Sequence, residues 1–141
     1  MSVPEDRFPW ETQVQYEYRM GISRLASQIH DVLHDIETTV TPGSDCLGIA
    51  AAMRRCHQRA HQIISPAMYE EAHVFLLQSV DAYFKAAQLL TTAVPAKDGP
   101  GIAMASRWII EGNSFLTIAK SRLWAAVEKR TSEARASATI G

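Results

Sequence analysis

Two short spacings stand out in this chain of 141 residues. His57 and His61 lie four apart, and Glu70 and His73 lie three apart. Residues at either spacing share one face of a helix. Between the pairs sits Ser65-Pro66, a combination suited to opening a new helix. A tight turn centred near Ser65 sets His57 opposite His73 and His61 opposite Glu70 on antiparallel helices. Imidazole nitrogens and a carboxylate oxygen then converge, a donor set that suits Zn²⁺ or another divalent ion. The expected metal residues are His57, His61, Glu70 and His73. The competing reading is plainer. Each histidine serves as a half-buried boundary residue bonded to a neighbour, and Glu70 is a first-turn carboxylate favoured by the helix dipole.

Other chemistry is thin. Glu70-x-x-His73 invites comparison with di-iron carboxylate bundles, which use a second such motif and two further inward glutamates. Asp31-x-x-His34 comes nearest, but Asp31 lies ~150° from the apolar seam of its helix and points outward. His30 and His34 read as boundary or surface residues. No nucleophile elbow and no glycine-rich phosphate loop occurs. Lys97-Asp98-Gly99-Pro100-Gly101 is sufficiently explained as a turn. Cys46 and Cys56, on one helix, would sit ~15 Å apart along its axis, too far for a disulfide. Cys56 falls on an apolar seam as a small hydrophobe. No enzyme is expected.

The elements that must position these residues are helices. Sustained period-2 alternation is missing, and turn residues cluster at Thr41–Ser44, Ser65-Pro66 and Pro95–Gly101. The first helix is expected from Pro9 to Val40, with Tyr18, Ile22, Leu25, Ile29, Val32 and Ile36 as its seam. The second runs from Ser44, as N-cap, to Ile64, with its seam at Ile49, Met53, Cys56, Ala60 and Ile63. The third opens on Ser65 as N-cap and carries Tyr69, Ala72, Leu76, Val80, Tyr83, Ala87, Leu90 and Val94. The fourth spans Gly101 to Arg130, with Ala105, Trp108, Gly112, Phe115, Ala119, Leu123 and Ala126. Short loops make consecutive helices antiparallel neighbours. The fold expected is therefore all-α: an antiparallel up-down-up-down four-helix bundle with long first, third and fourth helices and a shorter second. Residues 1–8 and 131–141 are expected to be flexible ends around a bundle at 9–130.

Small residues also suggest a register. Ala72, Ser79, Ala86 and Ala93 match Ala126, Ala119, Gly112 and Ala105 about a midpoint at residue 99. Small residues facing each other let two helix axes approach toward ~8 Å. On the outer side of the fourth helix, Ile110 and Trp124 form a second apolar line. They either rest against the first helix or form an interface.

Composition bounds the function. Apolar residues make up 47%, charged residues 21%, and the net charge is −1. That balance argues against nucleic acid, which asks for a basic face; Arg54, Arg55 and Arg59 read as a solvated face. No stretch approaches the ~20 apolar residues of a membrane span, and the start of the chain lacks a signal-peptide core. A cytoplasmic location is expected. The function expected is a non-catalytic helical module acting through contact with a protein partner or a second copy of itself, as in a homodimer, with no cofactor. The alternative is a bundle that binds a divalent metal or small ligand through the His/Glu cluster.

Overall fold

A computed structural model describes residues 6–39 and 46–140 of the chain. They form four helices: α1 (Gln13–Thr39), α2 (Cys46–Gln62), α3 (Glu70–Ala93) and α4 (Gly99–Ile140), with a 3₁₀ turn at Ala67–Tyr69 ahead of α3. The fold is an all-α four-helix bundle. No strand occurs among the described residues, and none of their helices is long and apolar enough to cross a membrane.

The helix boundaries differ from the expected ones for local reasons. Thr12, not Pro9, opens α1. Its Oγ1 accepts from the Gln15 amide at 3.1 Å while Gln15 Oε1 accepts from the Thr12 amide at 2.9 Å, a reciprocal cap. Ser65 does not cap α3: its hydroxyl donates to the Pro66 carbonyl, and a 3₁₀ turn intervenes before Glu70. The expected N-cap Ser44 and the end at Val40 lie outside the described residues. At the other hairpin Lys97 adopts a left-handed φ of 53°. The Asp98 amide then reaches the Ala93 carbonyl at 2.9 Å and the Lys97 amide the Val94 carbonyl at 3.1 Å, the paired bonds of a Schellman stop. Asp98 at once caps α4, accepting from the Gly101 amide at 3.2 Å. The helix continues through Ile140, past the expected end at Arg130.

Every seam residue expected on α3, together with Tyr69 just ahead of it, is buried. On α4 the buried line includes Ala105, Gly112, Leu116, Ala119, Leu123 and Val127, while Trp108 and Phe115, expected in the seam, are only half-buried. The cause is proximity. α3 and α4 make the most extensive helix pair, and their backbones leave no room for large side chains between them. A Cβ on Gly112 would stand 2.6 Å from the Tyr83 ring. Trp108 is displaced to the flank, under the Lys85 ammonium; Phe115 stacks on Phe75.

The expected register is displaced. Ser79 donates to the Gly112 carbonyl at 3.0 Å, so it sits opposite Gly112 rather than Ala119. Since α3 ends at Ala93 and α4 starts at Gly99, the turn is centred on Ala96 and not on residue 99. The ladders face each other, but slid along the axis.

α1 is attached differently. Its Cα atoms nowhere come within 8 Å of those of α3 or α4. Contacts at its start join it to them: Trp10 reaches α4 and Tyr18 reaches Tyr69 and α3, while a clasp built on a buried ion pair ties the preceding segment to α1. Arg19 is clamped by Glu11 through Nε–Oε2 at 2.8 Å and a second bond of 2.9 Å to Oε1, both side chains almost fully buried. The guanidinium lies over the rings of Phe8 and Tyr16 and donates to the Asp6 carbonyl. Asp6 and Phe8, assigned from sequence to the N-terminal segment, thus belong to this clasp. Trp10 Nε1 donates to Thr131 of α4 at 3.1 Å, and Tyr18 stacks on Tyr69 at 5.3 Å.

Candidate metal centre

The flank of α2 that carries His57 and His61 faces α3. His57 Nε2 lies 2.7 Å and His61 Nε2 3.0 Å from the same oxygen, Oδ1 of Asp81. The two imidazole rings are 4.5 Å apart, and the His57 ring rests on Phe84 at 4.9 Å. One donor atom from each of His57, His61 and Asp81 lies within 4.8 Å of the others.

Glu70 and His73 do not join this group. Glu70 is exposed at the first position of α3. His73 turns toward α1, where its Nδ1 and the Tyr18 hydroxyl are hydrogen-bonded at 2.8 Å. Burial, then the neighbouring His61, lower its pKa below the usual histidine value. Burial also pushes the Tyr18 hydroxyl up to about 12, so it keeps its proton. The difference from the sequence expectation is one of level along the helices. The α2–α3 connection is not a tight turn at Ser65 but the stretch 63–69, including the 3₁₀ turn. The extra chain carries α2 further along α3, past His73 to Asp81.

Asp81 was not among the expected residues, although the sequence does single it out. It is the only carboxylate on α3 after Glu71, inside an otherwise apolar stretch. Leu77, Asp81 and Phe84 follow one another at spacings of four and three, one flank of a helix.

Chemically the trio is a two-histidine, one-carboxylate set. Such sets leave coordination positions open to water or a further ligand. A tetrahedral ion ~2.0–2.1 Å from each donor would spread the donor atoms to ~3.4 Å apart, within reach of small side-chain rotations from the observed spacing. Exposures of 27%, 42% and 45% for the side chains of His57, His61 and Asp81 leave the site open to solvent. Asp81 offers only acceptors, so both Nε2–H groups donate to it here, and ligation through Nε2 requires each ring to carry its proton on Nδ1 instead.

No protein-family model, curated protein or solved structure matches the chain.

The remaining expected site residues, Ile110 and Trp124 on α4, are 64% and 50% exposed. Cys46 and Cys56 are both buried.

Proposed function

We propose that this bundle binds a divalent transition-metal ion between α2 and α3, with His57, His61 and Asp81 as its protein ligands. One observation carries the reading: three side chains of ligating type, from two helices, already bring their donor atoms within 4.8 Å. The open coordination positions suit exchangeable binding, not a closed structural site. The test is thermal melting and cobalt spectroscopy of untagged protein. At an ion concentration a hundred times the Kd, stability should rise by about 2.7 kcal/mol, or several degrees in Tm for a domain of this size. Co²⁺ should give the visible bands of a low-coordinate site. His57→Ala and Asp81→Asn should abolish both responses, while His73→Ala, which removes a bond to Tyr18 alone, should keep them. Binding should weaken in acid, because imidazole must be neutral to ligate. Equal responses in wild type and His57→Ala would sink the assignment.

A second reading is a non-catalytic module that works through protein contact or self-association. The exposure of Ile110 and Trp124 on one line of α4 supports it, since aromatic residues are favoured at interface cores. Trp124→Glu should then convert a dimer to monomer without loss of fold. A wild-type protein monomeric at high concentration by light scattering removes self-association. Balanced charge supports a partner other than nucleic acid, and the buried thiol of Cys56 fits a reducing, cytoplasmic setting.

A further inference from the structure

The seam between α1 and α4 does not close. Where the two helices diverge past Ala26, a groove of about 430 Å³ opens between them, within the ~300–1,000 Å³ of small-molecule sites. Its floor includes Ile36, Ile109 and Leu116, of which Ile36 and Leu116 belong to the main core. Its rim carries Lys120, His30 and Asn113.

The polar groups of the rim share one character. Lys120 Nζ lies 3.1 Å from His30 Nε2, and that imidazole is its sole partner among the described residues. An ammonium that donates to an imidazole has its geometry satisfied and its charge uncompensated. Asn113 accepts from the Tyr83 hydroxyl through Oδ1, which leaves its amide NH₂ to donate. No carboxylate lines the groove. A cation and a neutral donor thus stand beside an apolar floor with no anion among them. Beyond Lys120 the same seam continues only as a cleft of about 30 Å³, the volume of one water. An apolar body has room on one side of Lys120 alone, toward Ile36 and Ile109.

We propose that the α1–α4 groove binds a small anionic amphiphile, a monocarboxylate with an aliphatic or aromatic body. The carboxylate pairs with Lys120 beside His30, and the body lies over Ile36, Ile109 and Leu116. The site shares no residue with the metal trio and does not depend on it.

The experiment is calorimetric titration in EDTA, which silences metal binding, with decanoate, decanol and decyltrimethylammonium below their micellar concentrations. Decanoate should bind one to one. Decanol should bind about tenfold more weakly or worse, the factor that a charge-assisted hydrogen bond is worth, and the cation should be weakest. Lys120→Glu should cost decanoate at least that factor and Lys120→Arg should restore it. Thr117→Trp, at an exposed rim position, should block all three ligands. Both positions are on the surface, so circular dichroism should report an unchanged fold. Equal affinity for the three amphiphiles, indifference to Lys120→Glu, or no decanoate binding at millimolar concentration would each overturn the proposal.

Discussion

α4 meets two neighbours by opposite means. Against α3 it packs along its length, with Gly112 beneath the Tyr83 ring, Ser79 bonded to the Gly112 carbonyl, and Ala105 and Ala119 buried in the same contact. Against α1 it makes no close backbone contact; side chains alone cross the gap, as with Lys120 and His30. The first seam is held by the absence of side chains, the second by particular ones. Small residues let main chains approach closely, and a contact of that kind leaves little space at its centre. Large side chains that hold a helix at one end leave a groove at the other. The difference explains why the larger groove lies on the α1 side, while the space between α3 and α4 is confined to the flank beside Lys85 and Trp108.

The sharpest way to break that contrast is to cut the clasp of α1. Arg19→Met removes the partner of a carboxylate that is almost wholly out of water. Stranding one member of a buried ion pair costs about 3–5 kcal/mol, enough to loosen from α1 the segment that carries Trp10 to α4 in a domain of ordinary stability. The double change Glu11→Leu with Arg19→Met should recover most of the loss, because an apolar pair carries no desolvation penalty. Urea unfolding measures both. A single variant within 1 kcal/mol of wild type, on the scale of a surface pair, would show that α1 is held by packing after all.

A smaller effect is expected from disturbing the other seam. Gly112→Leu forces side-chain atoms into the space of a buried ring that is fixed through its hydroxyl on Asn113. Overpacking of this kind costs about 1–3 kcal/mol. Gly112→Ala is the finer probe. Helix propensity alone favours it by up to about 1 kcal/mol, yet its Cβ would stand 2.6 Å from Tyr83. We expect the clash to win and Gly112→Ala to destabilise. An alanine variant more stable than wild type in urea would mean that the α3–α4 contact yields easily, and the contrast with α1 would weaken.

What the sequence discloses follows the same division. Burial patterns survive translation of one helix along another, since a seam of apolar residues stays a seam at any level. The α3 face was legible from Tyr69 to Val94 for that reason. Level itself is set by turn length, and turn length depends on few residues. Lys97 in a left-handed conformation carries no glycine signal, so the hairpin centre at Ala96 was hidden. The 3₁₀ turn after Pro66 displaced α2 past His73 to Asp81, which left half the expected metal set apart. The cap of α1 is legible: Thr12 and Gln15 have the spacing of a capping box, a stronger start signal than Pro9. On α4, Trp108 and Phe115 follow the heptad spacing yet lie at the flank. Periodicity cannot tell a large residue at a seam from one expelled by close-packed neighbours.

The smallest expected effect lies where the two regimes meet, at His73. This residue sits on α3 but belongs to the clasp of α1, through the Tyr18 hydroxyl at 2.8 Å. From α2 the neighbouring group is His61, whose positive charge opposes protonation. Burial first, and His61 second, hold the folded-state pKa below the ~6.5 of the unfolded chain. Tyr18, with its own pKa near 12, stays protonated throughout. Protonating His73 leaves Nδ1 without a lone pair, so the bond persists only with Nδ1–H donating to the Tyr18 oxygen. The sign follows. Between the two pKa values the unfolded chain binds a proton that the folded chain does not, so stability falls as pH falls. The contribution is fully present above ~6.5 and is lost progressively from there down to the lowered folded-state pKa. His73→Gln can still accept from Tyr18 through its amide oxygen but does not titrate. Urea unfolding of wild type and variant at several pH values between 7.5 and 5, in EDTA, measures the effect. The variant should lose less stability than wild type over that interval. Parallel curves would place the Tyr18–His73 bond outside the forces that hold α1, leaving the Trp10–Thr131 bond and the Tyr18–Tyr69 stack to carry the attachment.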